Sequence, residues 1–288
     1  MVFLFRFVSG VGGRVRAFVV KHQQLGRMFL LALSLLTLFL SYSAFNLFLN
    51  ARDFGFNRQF IDTTKTLTVQ GFSIYGVQVG REVDTLERAK LDAGSVRARG
   101  GAGFVINSGS LSVGGGGGSE RRGFRVIASA YVRRADAQSV VNGLATENIQ
   151  ANVVTISVPN IKVRQAELTH QTQLDIQPFK NILDLFKQIY NVLYTLSVGL
   201  DTSQILVADA QIQIAGLLNE ANAALPKLEQ TEISQILLQI ISKHFNNVTT
   251  GLSALVNLHT SKTNFSANVK YTYLSSIWNL RELALVIG

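Results

Sequence analysis

The order of apolar and polar positions divides the chain into stretches of different period. Met28 to Leu49 (MFLLALSLLTLFLSYSAFNLFL) carries no charge, and 17 of its 22 residues are apolar. As a helix it would be about 33 Å long, close to the ~30 Å hydrocarbon core of a bilayer. This predicts a transmembrane helix over 28–50, with Met28, Leu31, Leu35, Leu38, Phe39, Phe45 and Leu49 among its membrane-spanning side chains. The serines and Thr37 can bond back to helix carbonyls, and Asn46 falls near the far interface. A cleaved leader ending near Ser43 is a rival role for the stretch. So is a surface-lying or organelle-targeting role for Met1 to Lys21.

Beyond a connector at 51–65 the pattern turns to period two, the mark of strands. Thr66 to Val79, Phe124 to Val132 (Phe124, Val126, Ala128, Ala130 and Val132 on one face), Val153 to Val158 and Ala166 to Ile176 all read this way. Between them, Glu82 to Leu91 is a helix or a charged strand, Gly100 to Gly118 a glycine-rich flexible loop, and Ala135 to Leu144 a short helix. After Pro178 the period becomes helical. Phe179, Phe186 and Leu193 recur at one heptad position and Ile182, Ile189 and Leu196 at its pair. Such spacing predicts helix packing, permits a coiled coil and makes these six residues a candidate association stripe. Two more helices are expected. One runs from Ser203 to Ala224 and is ended by Pro226. The other runs from Leu228 to Phe245, with Ile233, Ile236, Leu237, Ile240 and Ile241 as its stripe. Phe265, Ala267, Val269, Tyr271 and Tyr273 alternate again, predicting a short strand in the 249–288 tail.

The expected fold class is therefore α+β. One N-terminal transmembrane helix precedes a β-rich exported region (66–177, with its loop at 100–118), a helical region (178–248) and a strand or helix tail.

Charge orients this layout. Arg6, Arg14, Arg16, Lys21 and Arg27 precede the apolar segment, and the first acid is Asp53. They contribute +5 of the formal net charge of +9; the other 22 basic and 18 acidic residues leave +4. The positive-inside rule keeps residues 1–27 cytoplasmic and sends the rest across, a single-pass type II arrangement. The positive charge is accounted for by topology, so no nucleic-acid partner is inferred. Charged residues are only 16% of the chain, and there is no cysteine, which excludes disulfides, cysteine-bound metals and thiol chemistry.

Catalytic patterns do not emerge. His22, His170, His244 and His259 lack metal-binding spacing, the carboxylates are scattered singly, and neither a nucleophile elbow nor a phosphate loop occurs. Arg121, Arg122, Arg125, Arg133 and Arg134 read as solvated strand ends. Asn247-Val-Thr and Asn264-Phe-Ser match the glycosylation triplet. No cofactor, metal or small-molecule substrate is expected; the expected partners are the lipid bilayer and either a protein or a second copy.

Several stretches in order carry a resemblance: the N-terminal apolar helix, the strand near Thr66 to Val79, Asn148 to Val163 (NIQANVVTISVPNIKV) and the alanine-bearing Ala208 to Phe245. Together they resemble the uncharacterised bacterial membrane-anchored family of domain-of-unknown-function 4230. Val158 stands where that family favours leucine before proline, and a tail follows Thr249. The resemblance implies an anchored, exported domain and supplies no catalytic residue. Two roles fit: a non-enzymatic anchored interaction domain, or a structural membrane subunit of a larger assembly such as a virion, secretion apparatus or organellar complex.

Overall fold

A computed structural model describes residues 66–111, 123–164, 177–230 and 234–287. The basic leader, the apolar segment 28–50, the connector 51–65 and the expected strand Ala166 to Ile176, with His170, lie outside the described residues. Among those described, the chain is α+β, with six α-helices and two small sheets.

The elements run β1 (Thr66–Val69), β2 (Phe72–Val83), α1 (Leu86–Ala98), β3 (Phe104–Asn107), β4 (Phe124–Tyr131), α2 (Arg134–Thr146), β5 (Ala151–Val158) and β6 (Ile161–Arg164). Four long helices follow: α3 (Gln177–Asp201), α4 (Val207–Glu229), α5 (Gln235–Val256) and α6 (Lys262–Ile287).

Strands β2 to β5 form one antiparallel sheet in the order β3-β4-β2-β5. With α1 between β2 and β3 and α2 between β4 and β5, this is the split βαβ, ferredoxin-like arrangement. The Thr85 hydroxyl caps α1 by accepting from Arg88 N at 3.3 Å. Small Ala89 and Ala93 let α1 lie against Val126, with Val83, Val96, Val105 and Phe124 packed around them. Phe104 and Ile106 point to the opposite face, where the Phe104 ring meets Tyr271 of α6 edge-on at 5.3 Å. Helices therefore cover both faces of the sheet.

The second sheet, β1 with β6, continues the β2–β5 ladder. The same register carries from Thr66↔Arg164 to Val69↔Ile161 and resumes from Phe72↔Val158 to Val79↔Ala151. The break comes where Pro159, which has no N–H, faces Gly71. Gly71 N instead donates to Asn160 Oδ1 at 2.6 Å. A side chain at Gly71 would collide with the carbonyl of Val158 and the backbone of Pro159 and Asn160. Beyond the break the ribbon lies on Leu183, Lys187 and Leu280.

Helices α3 to α6 close a four-helix bundle in which each helix contacts the next and α6 returns to α3. Phe186 of α3 and Phe245 of α5 meet edge-on at 5.3 Å, and Tyr194 of α3 lies 5.7 Å from Tyr273 of α6. Full burial of a large apolar side chain contributes roughly 1.5–3 kcal/mol, and fourteen residues of α3 are buried. Among the described residues no helix is long and apolar enough to cross a membrane.

The structure corrects several expectations. The tail contains no strand: Phe265, Ala267, Val269, Tyr271 and Tyr273 belong to the 26-residue helix α6. That helix packs on α3, α5 and the sheet at once, so its burial follows no single stripe and mimics alternation. Within the expected loop 100–118 lie β3 at Phe104–Asn107 and a 3-10 turn at Ser108–Leu111, because FVIN alternates and pairs with β4; 112–118 lie outside the described residues. Pro226 sits inside α4, whose last turn runs on to Glu229; its fixed φ suits a helix, and only one backbone donor is lost. Leu228 is buried at the end of α4, so the next helix starts later, at Gln235, and its buried stripe is Leu237, Ile241, Phe245, Val248, Leu252 and Leu255. Ile236 is exposed, and Ile233 lies outside the described residues. Finally, a bulge between Val77 and Gln78 offsets β4, so that Val126 faces α1 while Ile127 and Ala130 face the other way.

Candidate functional site

Phe179, Ile182, Phe186, Ile189, Leu193 and Leu196 are all 0% exposed. The heptad stripe packs inside the chain's own bundle, so this face is filled by α4, α5 and α6 rather than offered to a partner. The seven membrane-spanning candidates from Met28 to Leu49 lie outside the described residues.

Among the described residues, two grooves flank α5. The cleft between α5 and α6 has a volume of about 310 Å³ and is lined by Asn247, Thr250, Gly251, Asn268, Thr272 and Ser275, among others. It exists because two helices bearing small residues approach closely: a methyl at Gly251 would sit 3.0 Å from the Thr272 methyl. The groove between α4 and α5, about 460 Å³, is lined by Leu218, Asn222, Thr249, Ser253 and Asn257, and shares Thr250 and Ala254 with the first. Neither lining contains an Asp, Glu, Lys or Arg. These are neutral amide and hydroxyl surfaces, suited to hydrogen bonding and to close packing of another surface rather than to ionic chemistry.

A buried polar network closes one end of the α5–α6 cleft. Asn279 Oδ1 accepts from Asn247 Nδ2 and pairs with His244 Nδ1, each at 3.1 Å, while Asn279 Nδ2 donates to the carbonyl of Ser275. With the amide in this orientation His244 Nδ1 is the donor. Glu282 stands 3.9 Å from His244 Nδ1 and accepts from Trp278 Nε1 at 2.9 Å. His244 is 4% exposed, so the network reads as a satisfied core histidine holding α5 to α6.

A second polar junction ties the layers together. Lys270 Nζ of α6 meets Asp201 at 2.8 Å and donates to the Gly100 carbonyl at 2.9 Å, and Ser266 Oγ donates to Asp201 at 2.7 Å. Burial raises the Tyr131 phenol above its ordinary pKa, and Asp201 adds to the rise.

Among the described residues, no group of three or more His, Asp or Glu side chains is placed to hold a metal. Of the arginines singled out, Arg125 pairs with Glu82 at 2.9 Å and Arg133 with Asp136 at 2.8 Å; Arg121 and Arg122 lie outside the described residues. Both glycosylation triplets fall within helices, where Asn247 donates to Asn279 and Ser266 is buried on Asp201. The paired grooves were not foreseen. Their only trace in the sequence is a run of Asn, Thr, Ser, Gly and Ala on the outward positions of α5. No family model, curated protein or solved structure matches the chain.

Proposed function

We propose that this is a single-pass, type II membrane-anchored protein without catalytic activity, whose extracytoplasmic α+β domain binds a protein partner or a second copy. One observation carries the reading: 22 uninterrupted uncharged residues, Met28 to Leu49, preceded by five cations and no acid. The domain after Thr66 has its own core of sheet and bundle, as an anchored module needs. Its interaction face is the neutral ridge of α5 at Thr250 and Ala254 with a groove on either side. The layout is also similar to that of the anchored family named above.

The absence of cysteine makes the test direct. Single substitutions Ser9→Cys and Ser139→Cys (Ser139 is exposed on α2) are expressed in turn, and intact cells are treated with a membrane-impermeant maleimide. Labelling at 139 and not at 9 is expected; the reverse overturns the topology. A full-length chain released into the supernatant by carbonate washing overturns the anchor.

A further inference from the structure

We propose that the outer edge of β5 pairs, antiparallel and across a two-fold axis, with the same edge of a second copy, joining two four-stranded sheets into one of eight strands. This surface uses no residue of the α5 ridge and does not depend on the membrane anchor.

The backbone defines the edge. β5 is the last strand of its sheet, in the order β3-β4-β2-β5. Gly80 N donates to the Gln150 carbonyl at 2.8 Å, in line with the register Val79↔Ala151. Successive residues of an antiparallel strand bond alternately to one side and the other. Asn152, Val154 and Ile156 therefore bond toward β2, while Ala151, Val153, Thr155 and Ser157 turn their N–H and C=O groups outward. Ser157 agrees with this assignment, because its carbonyl accepts from Arg281 Nε of α6 at 3.1 Å, off the ladder. At the other end the Ile149 N–H is taken by the Leu144 carbonyl at 2.9 Å. Between these two stops, the backbone groups of Ala151, Val153 and Thr155 have no hydrogen-bond partner among the described residues.

Natural sheet edges are guarded by shortness, charge, proline or a bulge. β3, at the opposite edge, has four residues. β5 has eight, ANVVTISV, with no charge and no proline, and its register with β2 runs unbroken from Phe72↔Val158 to Val79↔Ala151. Thr155 is exposed and Val153 half-buried. An edge this long and unguarded calls for a covering strand.

A second copy meets the requirement. With the two-fold at Val153, Val153 faces Val153 of the other copy and Ala151 faces Thr155. Three donors and three acceptors from each copy then close six backbone hydrogen bonds, and both stops fall outside the paired window. The strand carries no charge, so identical edges meet without like-charge opposition, and β-branched valines stand side by side. A closed two-fold pair is also the commonest way for identical chains to associate. Residues 165–176 are too few to do the same work. They join Arg164 to Gln177, and α3 begins at the ribbon end, since Leu183 lies against Val69 and Ile161 while Tyr190 stacks on Phe72 at 5.2 Å. Val153 is eleven residues back along the ladder from Arg164, about 36 Å at ~3.3 Å per residue. Twelve residues extend at most about 43 Å, which does not allow a path there and back.

The test uses the full-length chain in detergent micelles at micromolar concentration, with one cysteine introduced at a time. Val153→Cys should oxidise to a covalent dimer, because paired Cα atoms about 5.5 Å apart lie within disulfide range. Ser139→Cys on α2 and Ala254→Cys on the α5 ridge should not. Sedimentation should show a dimer that Val153→Lys and Thr155→Lys each weaken at least tenfold, with circular dichroism and Tm as in the parent. If Val153→Lys fails to fold, Thr155→Lys, at an exposed position, decides. Amide exchange over 151–155 should be slow in the dimer and become fast on dilution. A monomer at every concentration overturns the proposal, as does a dimer untouched by the folded lysine variants. Cross-linking at 254 and not at 153 overturns it too and places the contact on the α5 ridge. Slow exchange that dilution does not change also overturns it, because the chain's own residues, such as 112–122, would then cover the edge.

Discussion

Truncating Phe186 to alanine separates two roles for the heptad stripe. Phe186 is fully buried at the centre of the bundle, edge-on to Phe245 across its diagonal. Removing the ring leaves a cavity that two long helices cannot collapse around. Phe→Ala at such sites costs about 3–5 kcal/mol, which includes the loss of an aromatic pair worth roughly 0.5–1.5 kcal/mol. Against a total stability of about 5–15 kcal/mol, this is a large fraction. For a domain of roughly 200 residues it lowers Tm by about 6–20 °C. The assay is thermal and urea unfolding of the full-length chain at several protein concentrations, with Ile212→Ala as an exposed control expected within about 0.5 kcal/mol of the parent. A loss that is the same at every concentration is expected, since the stripe packs within one chain. A loss below about 1 kcal/mol, or one that disappears as concentration rises, would refute the placement of Phe186 in an intramolecular core.

Two further predictions concern the sheet. Gly71→Ala should cost about 1–3 kcal/mol, because the methyl meets backbone atoms of Val158, Pro159 and Asn160 rather than a movable side chain; hydrogen exchange should show the loss first in β1 and β6, and an unchanged urea midpoint would contradict it. The Glu82 carboxyl is held below the usual carboxylate range by the Ser108 hydroxyl and by Arg125, against the opposing effect of burial. Its contribution to stability is therefore complete above the unfolded carboxylate pKa and is lost as pH falls through the lower folded value. Glu82→Gln should flatten the acid side of the stability–pH curve measured by urea unfolding between neutral pH and pH 3, with no change in shape at neutral pH and above.

How much was legible in advance depended on how many sides of each element are buried. β5 packs in simple alternation along much of its length, and VVTISV reads correctly. α3 buries one broad face and shows in its heptads. α1 buries only the small Ala89 and Ala93 fully, with Val96 half-buried beside them, so no broad hydrophobic stripe marks it. α6 is the opposite case. It is surrounded, and it buries Ser266, Thr272, Ser276, Asn279 and Arg281 alongside its apolar residues. Four of these polar side chains have named partners: Ser266 with Asp201, Ser276 with the Thr272 carbonyl, Asn279 with His244 and Arg281 with the Ser157 carbonyl. Only a three-dimensional arrangement reveals those partners, so the linear pattern suggested a half-buried strand. The grooves beside α5 were illegible for a related reason. A cleft is made by two helices packed side by side, and the sequence displays only their separate polar faces.

The central place of α6 has a consequence for biogenesis. Every surface it seals, from the Phe104 side of the sheet to the flanks of α3 and α5, is synthesised before it. Until α6 leaves the ribosome, the apolar surfaces it covers stay open to solvent and chaperones. Closure of this domain therefore waits on α6, and a stop codon before Lys262 would leave both the bundle and the Phe104 face of the sheet uncovered.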